Sequence, residues 1–270
     1  MKFKFISLNL WIGGLLFDDI LAFLEKENAD IVVLQEVMDA KDEKLPAHYY
    51  SLKSLQAKLN YPYTDFAPTL VNKLPWVKVT EGNAVLSRFP IKDRGVAYFE
   101  EPFDETKLRD IFDPSTYSTT PRNLEHVVLD TPAGDINIFN FQGVWDLDGD
   151  NVSPQREKMR DIILRETAGK SNVILAGDTN AKYTNPVMQD IEKHLTNVFG
   201  DSLTTSFNMR RKDNPGYATA VVDIIYISPN IRVVDKSCPD IDISDHLPLV
   251  ATFELPKLDK QNKNQSGQTS

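Results

Sequence analysis

Polar residues that could bind a metal ion or move a proton interrupt the apolar runs of this sequence or stand at their ends. Asn9 ends the run FISLN, Glu36 ends IVVLQE, and Asp178 and Asn180 follow VILAG. A buried carboxylate is unfavourable on its own, so carboxylates at neighbouring strand ends are tolerated chiefly when a cation neutralises them. Oxygen ligands of this kind suit Mg²⁺ or Mn²⁺ and do not suit zinc or copper.

A second group of residues could hold a proton near such an ion. Asp223 lies inside the apolar run AVVDIIYI, where a carboxylate needs a partner. His246, next to Asp245 in SDHLP, is the obvious candidate, because a carboxylate–imidazole pair orients the ring and favours its protonated form. Each residue taken singly also has a structural interpretation: Glu36 as a surface residue, Asp178 as a helix N-cap and His246 as a structural histidine.

The stretch NFQGVWDLDGDN, residues 140–151, leaves two interpretations open. The apolar run before it stops at Gln142, which could form a wall of the site, and an acidic loop follows. Four acids in and after this loop have the spacing of a calcium-binding EF-hand loop: Asp146, Asp148, Asp150 and Glu157. However, Asn151 replaces the glycine of that pattern, and a strand instead of a helix precedes it. We therefore expect a solvated loop that caps the next helix or borders the mouth of the site.

Apolar patterning places these residues in a layered α/β sandwich. Strands are predicted near residues 2–8, 29–37, 82–91, 171–181, 220–228 and 243–255, and 122–141 is predicted to be a hairpin. Helices are predicted at about residues 17–27, 50–59 and 154–167. The proline-containing segment 92–121 is predicted to be an irregular surface excursion. No Gly/Ser-rich linker divides the chain, so we expect one domain over 1–256 and a disordered polar tail over 257–270.

Composition and charge restrict the class of protein. The 270 residues are 41% hydrophobic and 26% charged, as in ordinary globular domains. The net charge of −9 weighs mildly against non-specific binding of duplex nucleic acid, which relies on many Lys and Arg contacts to phosphate. The only cysteine, Cys238, excludes an intramolecular disulfide and a cysteine-based zinc cluster. Asn9 and Asp18-Asp19 interrupt a signal-like N-terminal run, so we expect a cytoplasmic protein without a membrane span. We also expect a monomer.

Six short motifs occur in the order typical of one family. They are S-L-N at 7–9, L-Q-E at 34–36, G-N-A-V-L-S-R-F-P at 82–90, G-D-x-N at 177–180, V-D-x-I at 222–225 and S-D-H-L-P at 244–248. In these motifs the chain resembles the endonuclease/exonuclease/phosphatase superfamily, which includes deoxyribonuclease-I-like nucleases. The match runs from residue 3 to about residue 254. The resemblance implies a four-layered α/β/β/α sandwich of two mixed sheets.

The resemblance also implies roles for the polar residues. Glu36 resembles the principal metal carboxylate, with Asn9 beside it and Asp245 completing the environment of Mg²⁺ or Mn²⁺. Asp178 resembles the residue that orients and deprotonates the attacking water. Asn180 would hold a phosphate oxygen or the nucleophile. His246, oriented by Asp223, would donate a hydrogen bond or a proton to the phosphoryl oxygen.

Gln142 departs from the family pattern. Many members carry Asn-x-His at the end of the corresponding strand, and that histidine contacts the scissile phosphate, whereas this chain has Asn140-Phe141-Gln142. A glutamine amide can donate to a phosphate oxygen but supplies no positive charge. We therefore expect Gln142 to keep a catalytic contact and to stabilise the transition state less well. Arg122, which opens the preceding strand, could bind phosphate or could simply lie at the hairpin edge.

The function implied by the resemblance is hydrolysis of a phosphate ester by water, dependent on a divalent metal. We expect a phosphodiesterase or nuclease that acts on nucleic acid or nucleotides. One alternative is hydrolysis of inositol phosphates or phospholipid head groups, although the sequence has neither an amphipathic membrane segment nor a strong basic patch. The other is a binding module of the same fold with weakened activity, against which the presence of Glu36, Asp178 and His246 weighs.

Overall fold

The chain folds into two mixed β-sheets that face each other. The computed structural model describes residues 1–42, 44–74, 77–110, 113, 119–146 and 149–256. The seven strands of the first sheet are β1 (Lys2–Asn9), β2 (Ile31–Asp39), β3 (Tyr63–Lys73), β4 (Lys78–Ser87), β6 (Leu108–Arg109), β12 (Arg232–Ser237) and β13 (Leu249–Glu254). The six strands of the second are β5 (Ile91–Tyr98), β7 (Asn123–Thr131), β8 (Gly134–Gln142), β9 (Val173–Asp178), β10 (Thr196–Asn197) and β11 (Asp223–Ile227).

The order of the strands differs from their order in the sequence. The seven-stranded sheet has the order β12-β13-β1-β2-β4-β3-β6, and the six-stranded sheet has the order β10-β11-β9-β8-β7-β5. The pairs β1–β2, β3–β6 and β8–β9 are parallel, and the other pairs are antiparallel.

Four α-helices among the described residues cover the outer faces of the sheets: α1 (Phe17–Glu27), α2 (Ser51–Leu59), α3 (Pro154–Thr167) and α4 (Pro186–Glu192). The apolar faces of α1 and α2 pack on the seven-stranded sheet, where Ile20 and Leu55 join one buried cluster with Val32. Helices α3 and α4 cover the six-stranded sheet in a second cluster. The predicted α/β/β/α sandwich of two mixed sheets is therefore confirmed.

The layer between the sheets changes in character along the strands. Side chains alternate between the two faces of a strand, so every second residue of each central strand points into this layer. At one end of the layer the inward residues are apolar and buried, and they include Phe5, Val33, Ile138, Ile174 and Ile225. At the other end the same strand faces carry buried polar residues: Asn9, Gln35, Gln142, Asp178 and Asp223. These are called the apolar end and the polar end of the layer below.

Several predicted boundaries were wrong, chiefly at the sheet edges. Residues 92–121 are not entirely irregular, because β5 (Ile91–Tyr98) is an edge strand and β6 adds a short strand to the other sheet. The exposed charges of Lys92, Asp93 and Arg94 conceal the alternation in β5. Strand β4 begins at Lys78 instead of residue 82, and β3 was not predicted as a strand. The predicted tail over 257–270 lies outside the described residues.

We found no membrane-spanning candidate among the helices of the described residues, since none combines the length and the hydropathy that crossing a bilayer requires.

Candidate active site

The polar end gathers side chains from the ends of four strands and from a bulge within a fifth. Asn9, Gln142 and Asp178 are the last residues of β1, β8 and β9, and Asp223 is the first residue of β11. Because β8 runs parallel and β11 antiparallel to β9, Asp178 is the register partner of both Gln142 and Asp223. Glu36 comes from a bulge in β2. The sheet topology therefore brings together residues that are far apart in the sequence.

Glu36 is placed by a local distortion of its strand. The pairing of β2 with β4 shifts register between Leu34 and Val37, and Glu36 has a left-handed φ of 56°. Its Oε1 accepts hydrogen bonds from Asn9 Nδ2 at 3.1 Å and from Gln142 Nε2 at 2.8 Å. Its Oε2 accepts from the backbone N–H of Ile12 at 2.8 Å. A non-glycine residue in this strained conformation is typical of a functional site.

Asn9 links Glu36 to Asp178. The Nδ2 of Asn9 donates to Asp178 Oδ2 at 3.0 Å as well as to Glu36, and its Oδ1 accepts from the backbone N–H of Trp11 at 2.9 Å. From the next loop, Ser244 Oγ donates to the backbone carbonyl of Asn9 at 2.7 Å. The amide of Asn9 is thus held in a fixed position between two carboxylates.

Asn180 follows Asp178 in a tight turn. Its backbone N–H donates to Asp178 Oδ1 at 2.9 Å, its φ is 50°, and its Nδ2 donates to the carbonyl of Gly143 at 2.9 Å. Glycine is required at 143, because a Cβ there would lie 2.1 Å from the carbonyl oxygen of Thr179. The close approach of the turns after β8 and β9 therefore depends on the glycine that follows Gln142.

Arg156 connects the acidic loop after β8 to the turn that carries Asn180. The sequence did not predict this role. The residue is fully buried, and its guanidinium donates to the carbonyl of Asn151 at 2.7 Å and to the carbonyl of Asn180 at 2.5 Å. Ser153 caps α3 by accepting from the N–H of Arg156. Asp150 pairs with Lys182 at 2.5 Å. Asp148, part of the calcium-loop alternative, lies outside the described residues.

His246 lies between two buried carboxylates. Its Nδ1 is 2.8 Å from Asp223 Oδ2, and its Nε2 is 4.0 Å from Asp178 Oδ2. Burial alone would lower the pKa of His246, but Asp223, Asp178 and Asp245 together raise it to about 10. Burial raises the pKa of Asp178, and the imidazolium opposes that change. The carboxylates around the imidazole therefore favour its protonated form.

The same three residues have ligand atoms within 4.8 Å of one another, which by distance alone could hold a metal. A protonated imidazole has no free lone pair to bind a metal ion. The raised pKa of His246 therefore favours a proton-holding arrangement of Asp178, Asp223 and His246 over a metal site.

Asp245 meets a lysine that sequence reasoning missed. The Nζ of Lys212 pairs with Asp245 Oδ2 at 2.5 Å. Burial acts to lower the pKa of Lys212, but Asp245 and Glu36 outweigh it, and the net pKa is raised. Asp245 and His246 were predicted to lie at the start of the last strand, but they lie in the loop before β13, which begins at Leu249. Nothing in the charged run MRRKD indicated that its lysine would reach this site.

A further carboxyl group, Glu81 of β4, lies beside the site. It is 4% exposed, and its Oε2 has no hydrogen-bond partner within the described part of the chain. Burial and the charge of Glu36 raise the pKa of Glu81 to about 8, against the opposing effect of Arg122. Glu81 was missed because the strand was predicted to begin one residue later. Arg122 lies near this carboxyl, and its Nε and Nη1 are buried without partners among the described residues.

The donor set fits a hard divalent cation. Among the described residues, the carboxyl groups of Glu36, Glu81, Asp178, Asp223 and Asp245 gather at the polar end. The basic groups near them are His246, Lys212 and Arg122. An excess of buried acid over base is tolerated when a cation is bound, and oxygen ligands suit Mg²⁺ or Mn²⁺. Glu36, whose carboxylate accepts from the amide nitrogens of Asn9 and Gln142, is the group that would hold such an ion.

Comparisons with known proteins agree with this geometry. Residues 6–246 match the profile of the Endonuclease/Exonuclease/phosphatase family. An endonuclease/exonuclease/phosphatase from Beutenbergia cavernae superposes with a TM-score of 0.73 at 22% identity, covering 94% of this chain and 72% of that chain. The human nocturnin catalytic domain, solved with a bound sulfate, gives 0.69 at 17% identity and covers 94% of each chain.

A third solved structure is a mannosyl-6-phosphatase from Bacteroides thetaiotaomicron. Its TM-score is 0.64 at 18% identity, covering 94% of this chain and 100% of that chain. At these identities the three structures establish a shared fold. No curated protein matches the chain in sequence. The family profile spans nearly all of the described residues, and the chain therefore belongs to the endonuclease/exonuclease/phosphatase family.

Proposed function

We propose that this protein hydrolyses phosphodiesters of nucleic acid or nucleotides, with Mg²⁺ or Mn²⁺ as cofactor. The observation that carries the proposal is the continuous set of contacts from Glu36 through Asn9 to Asp178 and His246. These contacts connect a carboxylate suited to a cation, a buried carboxylate and a protonated imidazole at the polar end of the layer between the sheets. Such a set can bind phosphate, activate water and neutralise charge without a nucleophilic serine or cysteine.

The residues divide the work by their protonation and position. Asp178, whose carboxylate accepts from Asn9 and Asn180, orients a water molecule and takes its proton. His246, held by Asp223, donates a hydrogen bond to an oxygen of the phosphoryl group. Asn180 and Gln142 offer amide N–H groups to phosphate oxygens. Glu36, with Asn9 and Asp245 as further candidate ligands, would hold the metal ion, which would supply positive charge that neutralises the phosphate.

The charge of the site favours a diester over a monoester. A phosphodiester carries one negative charge at neutral pH, whereas a monoester carries between one and two. Gln142 adds no positive charge at the position where many family members have histidine, and the carboxylates of Glu36 and Asp178 come from its hydrogen-bond partner and its register partner. These carboxylates repel a phosphodiester less than a monoester, because the diester carries less negative charge.

The experiment that tests the proposal is a substrate panel with added Mg²⁺, Mn²⁺ or EDTA. The panel contains single- and double-stranded DNA, RNA, bis-p-nitrophenyl phosphate and p-nitrophenyl phosphate. We expect metal-dependent turnover of the diesters, and an Asp178→Asn protein prepared in parallel excludes a contaminating enzyme. Turnover of only the monoester would replace the proposal by a phosphatase activity. Absence of metal-dependent turnover on every substrate would refute it.

A further inference from the structure

Lys212 holds an ammonium group at the edge of the candidate active site. Its Nζ pairs with Asp245 Oδ2 and lies 5.0 Å from the ring centre of Phe207 and 5.4 Å from that of Tyr217. The side chain of Lys212 is 21% exposed, whereas that of Asp245 is 9% exposed. The cation is thus held against one buried carboxylate and two aromatic rings, and part of its side chain stays exposed.

The position of Lys212 is fixed by its chain segment. The backbone N–H of Asn208 donates to the carbonyl of Asp245 at 2.9 Å, and its Nδ2 donates to the carbonyl of Ser244 at 2.8 Å. The N–H of Leu247 donates to the carbonyl of Ser206 at 2.7 Å. The loop that carries Lys212 is therefore bonded directly to the loop that carries Asp245 and His246.

Three consecutive basic residues pair in order with three acids of the facing segment. Arg210 pairs with Asp240 and Arg211 pairs with Asp242, both as exposed ion pairs. Pairs of this kind contribute little to stability. Lys212 is the third member of the series, and its acid partner alone is buried among the residues of the active site. This difference sets Lys212 apart from its two neighbours.

The ring of Phe207 packs near both Lys212 and His246. Its centre lies 4.7 Å from the centre of the His246 ring and 5.0 Å from Lys212 Nζ. An ammonium has three N–H bonds, and among the described residues Asp245 is its one hydrogen-bond acceptor. Lys212 therefore retains donors for an anion that enters beside His246.

We propose that Lys212 binds a non-bridging oxygen of the substrate phosphate and supplies the positive charge that Gln142 cannot supply. The inference rests on the proposed function, since it assumes that a phosphate enters between Glu36 and His246. A cation aimed at this oxygen stabilises the charge that develops when water attacks phosphorus. Gln142 is the last residue of β8, whereas Lys212 lies in the loop between β10 and β11 of the same sheet. The lysine would therefore supply the charge without occupying the histidine position.

The first test compares Lys212→Met, Lys212→Arg and the neighbouring control Arg210→Met. We expect Lys212→Met to lower kcat/KM on a phosphodiester about tenfold or more, with Lys212→Arg recovering much of the loss. Arg210→Met should stay within about twofold, because its ion pair is exposed. Thermal unfolding of each variant verifies that the protein is folded. Equal activity of Lys212→Met and wild type, or a loss that arginine does not reduce, would overturn the inference.

A double-mutant cycle tests whether Lys212 and residue 142 share one task. Gln142→His should raise kcat/KM more in the Lys212→Met background than in wild type, by about threefold or more, if one cation can replace the other. An equal gain in both backgrounds would contradict the shared role.

Binding of inorganic phosphate separates this inference from the proposed function. Calorimetry with Mn²⁺ present should give about tenfold weaker phosphate binding for Lys212→Met than for wild type. If wild type shows no turnover but phosphate binding depends on Lys212, the proposed function fails and the inference stands. If wild type turns over diesters while Lys212→Met binds phosphate equally well, the inference fails and the function stands.

Discussion

At the apolar end of the inter-sheet layer, Phe5, Val33 and Ile174 pack side chain against side chain, whereas the polar end places Asn9, Asp178 and other polar groups on the same strand faces. Both ends are equally buried, so the difference is chemical. Burial of apolar side chains stabilises the folded state. Burial of carboxylates destabilises it unless they are paired or neutralised. The raised pKa values of Asp178 and Glu81 record that cost.

The inward-facing positions of the same central strands therefore serve two tasks, one at each end of the layer between the sheets. The apolar end stabilises the fold and fixes the spacing between the sheets. The polar end accepts unfavourable burial, including a carboxyl oxygen of Glu81 that lacks a partner among the described residues. Changes at the two ends should therefore differ in kind: at one end they should alter stability, and at the other they should alter turnover.

The largest effect is expected from Glu36→Gln. Removing the carboxylate that faces Asn9 and Gln142 should lower diester turnover by about 10³-fold or more, because Glu36 is the proposed ligand of the ion that would neutralise charge at phosphorus. Calorimetric Mn²⁺ binding should weaken in parallel. Asp39→Asn, at the half-buried last residue of the same strand, is the matched control and should behave as wild type. Normal metal binding by Glu36→Gln would place the ion elsewhere.

The apolar end is tested by Ile174→Ala. Removing this buried side chain should lower the free energy of unfolding by about 2–5 kcal/mol, through lost burial and the cavity that remains. Urea denaturation measures the change, and kcat/KM below the transition should stay close to wild type. A large loss of turnover in the folded variant would mean that the two ends are not separable.

Asp223→Asn should change the protonation of His246. Asp223 helps to raise the pKa of His246 to about 10, so the amide should lower it and bring the high-pH decline of kcat/KM to lower pH. We expect turnover at neutral pH to fall about tenfold to a hundredfold. Because this pKa lies above that of the unfolded chain, the pair stabilises the fold fully below pH 6.5 and less as the pH rises towards 10. An NMR titration of His246 that is identical in both proteins would contradict this account.

The smallest effect is expected from Glu81→Gln. The folded protein holds the Glu81 proton up to about pH 8, whereas the unfolded chain releases it near 4.5, so this residue makes stability fall as the pH rises between those values. Glutamine should remove that fall and raise the free energy of unfolding at pH 8 by about 1 kcal/mol or more in EDTA. An unchanged pH dependence from pH 4.5 to 8 would show that Glu81 is ionised in the folded protein.

The sequence predicted the elements whose patterns are local. Helices α1 and α3 were predicted with the bounds observed, because apolar periodicity and the proline at the start of α3 mark them. The order of the six motifs predicted the family and the layered fold, and both are confirmed. Edge strand β5 was missed, since a strand with a solvated face and many charges lacks the alternation of a half-buried strand.

The sequence predicted which residues meet at the candidate site, but it did not predict their contacts. Asn9, Glu36 and Asp178 come together because each ends or interrupts a strand, and such positions are visible in an apolar pattern. Lys212 could not be predicted, because a loop of irregular backbone brings it to Asp245. The roles of these residues stay predictions until the variants are measured.

The central claim, that the polar end serves chemistry and not stability, is tested most directly by Asp178→Asn. Turnover of bis-p-nitrophenyl phosphate with Mn²⁺ and the free energy of unfolding should be measured on the same preparation. We expect turnover to fall by about 10³-fold or more while the free energy of unfolding stays within about 1 kcal/mol of wild type. Turnover within tenfold of wild type, or a loss of stability as large as that of Ile174→Ala, would contradict the claim.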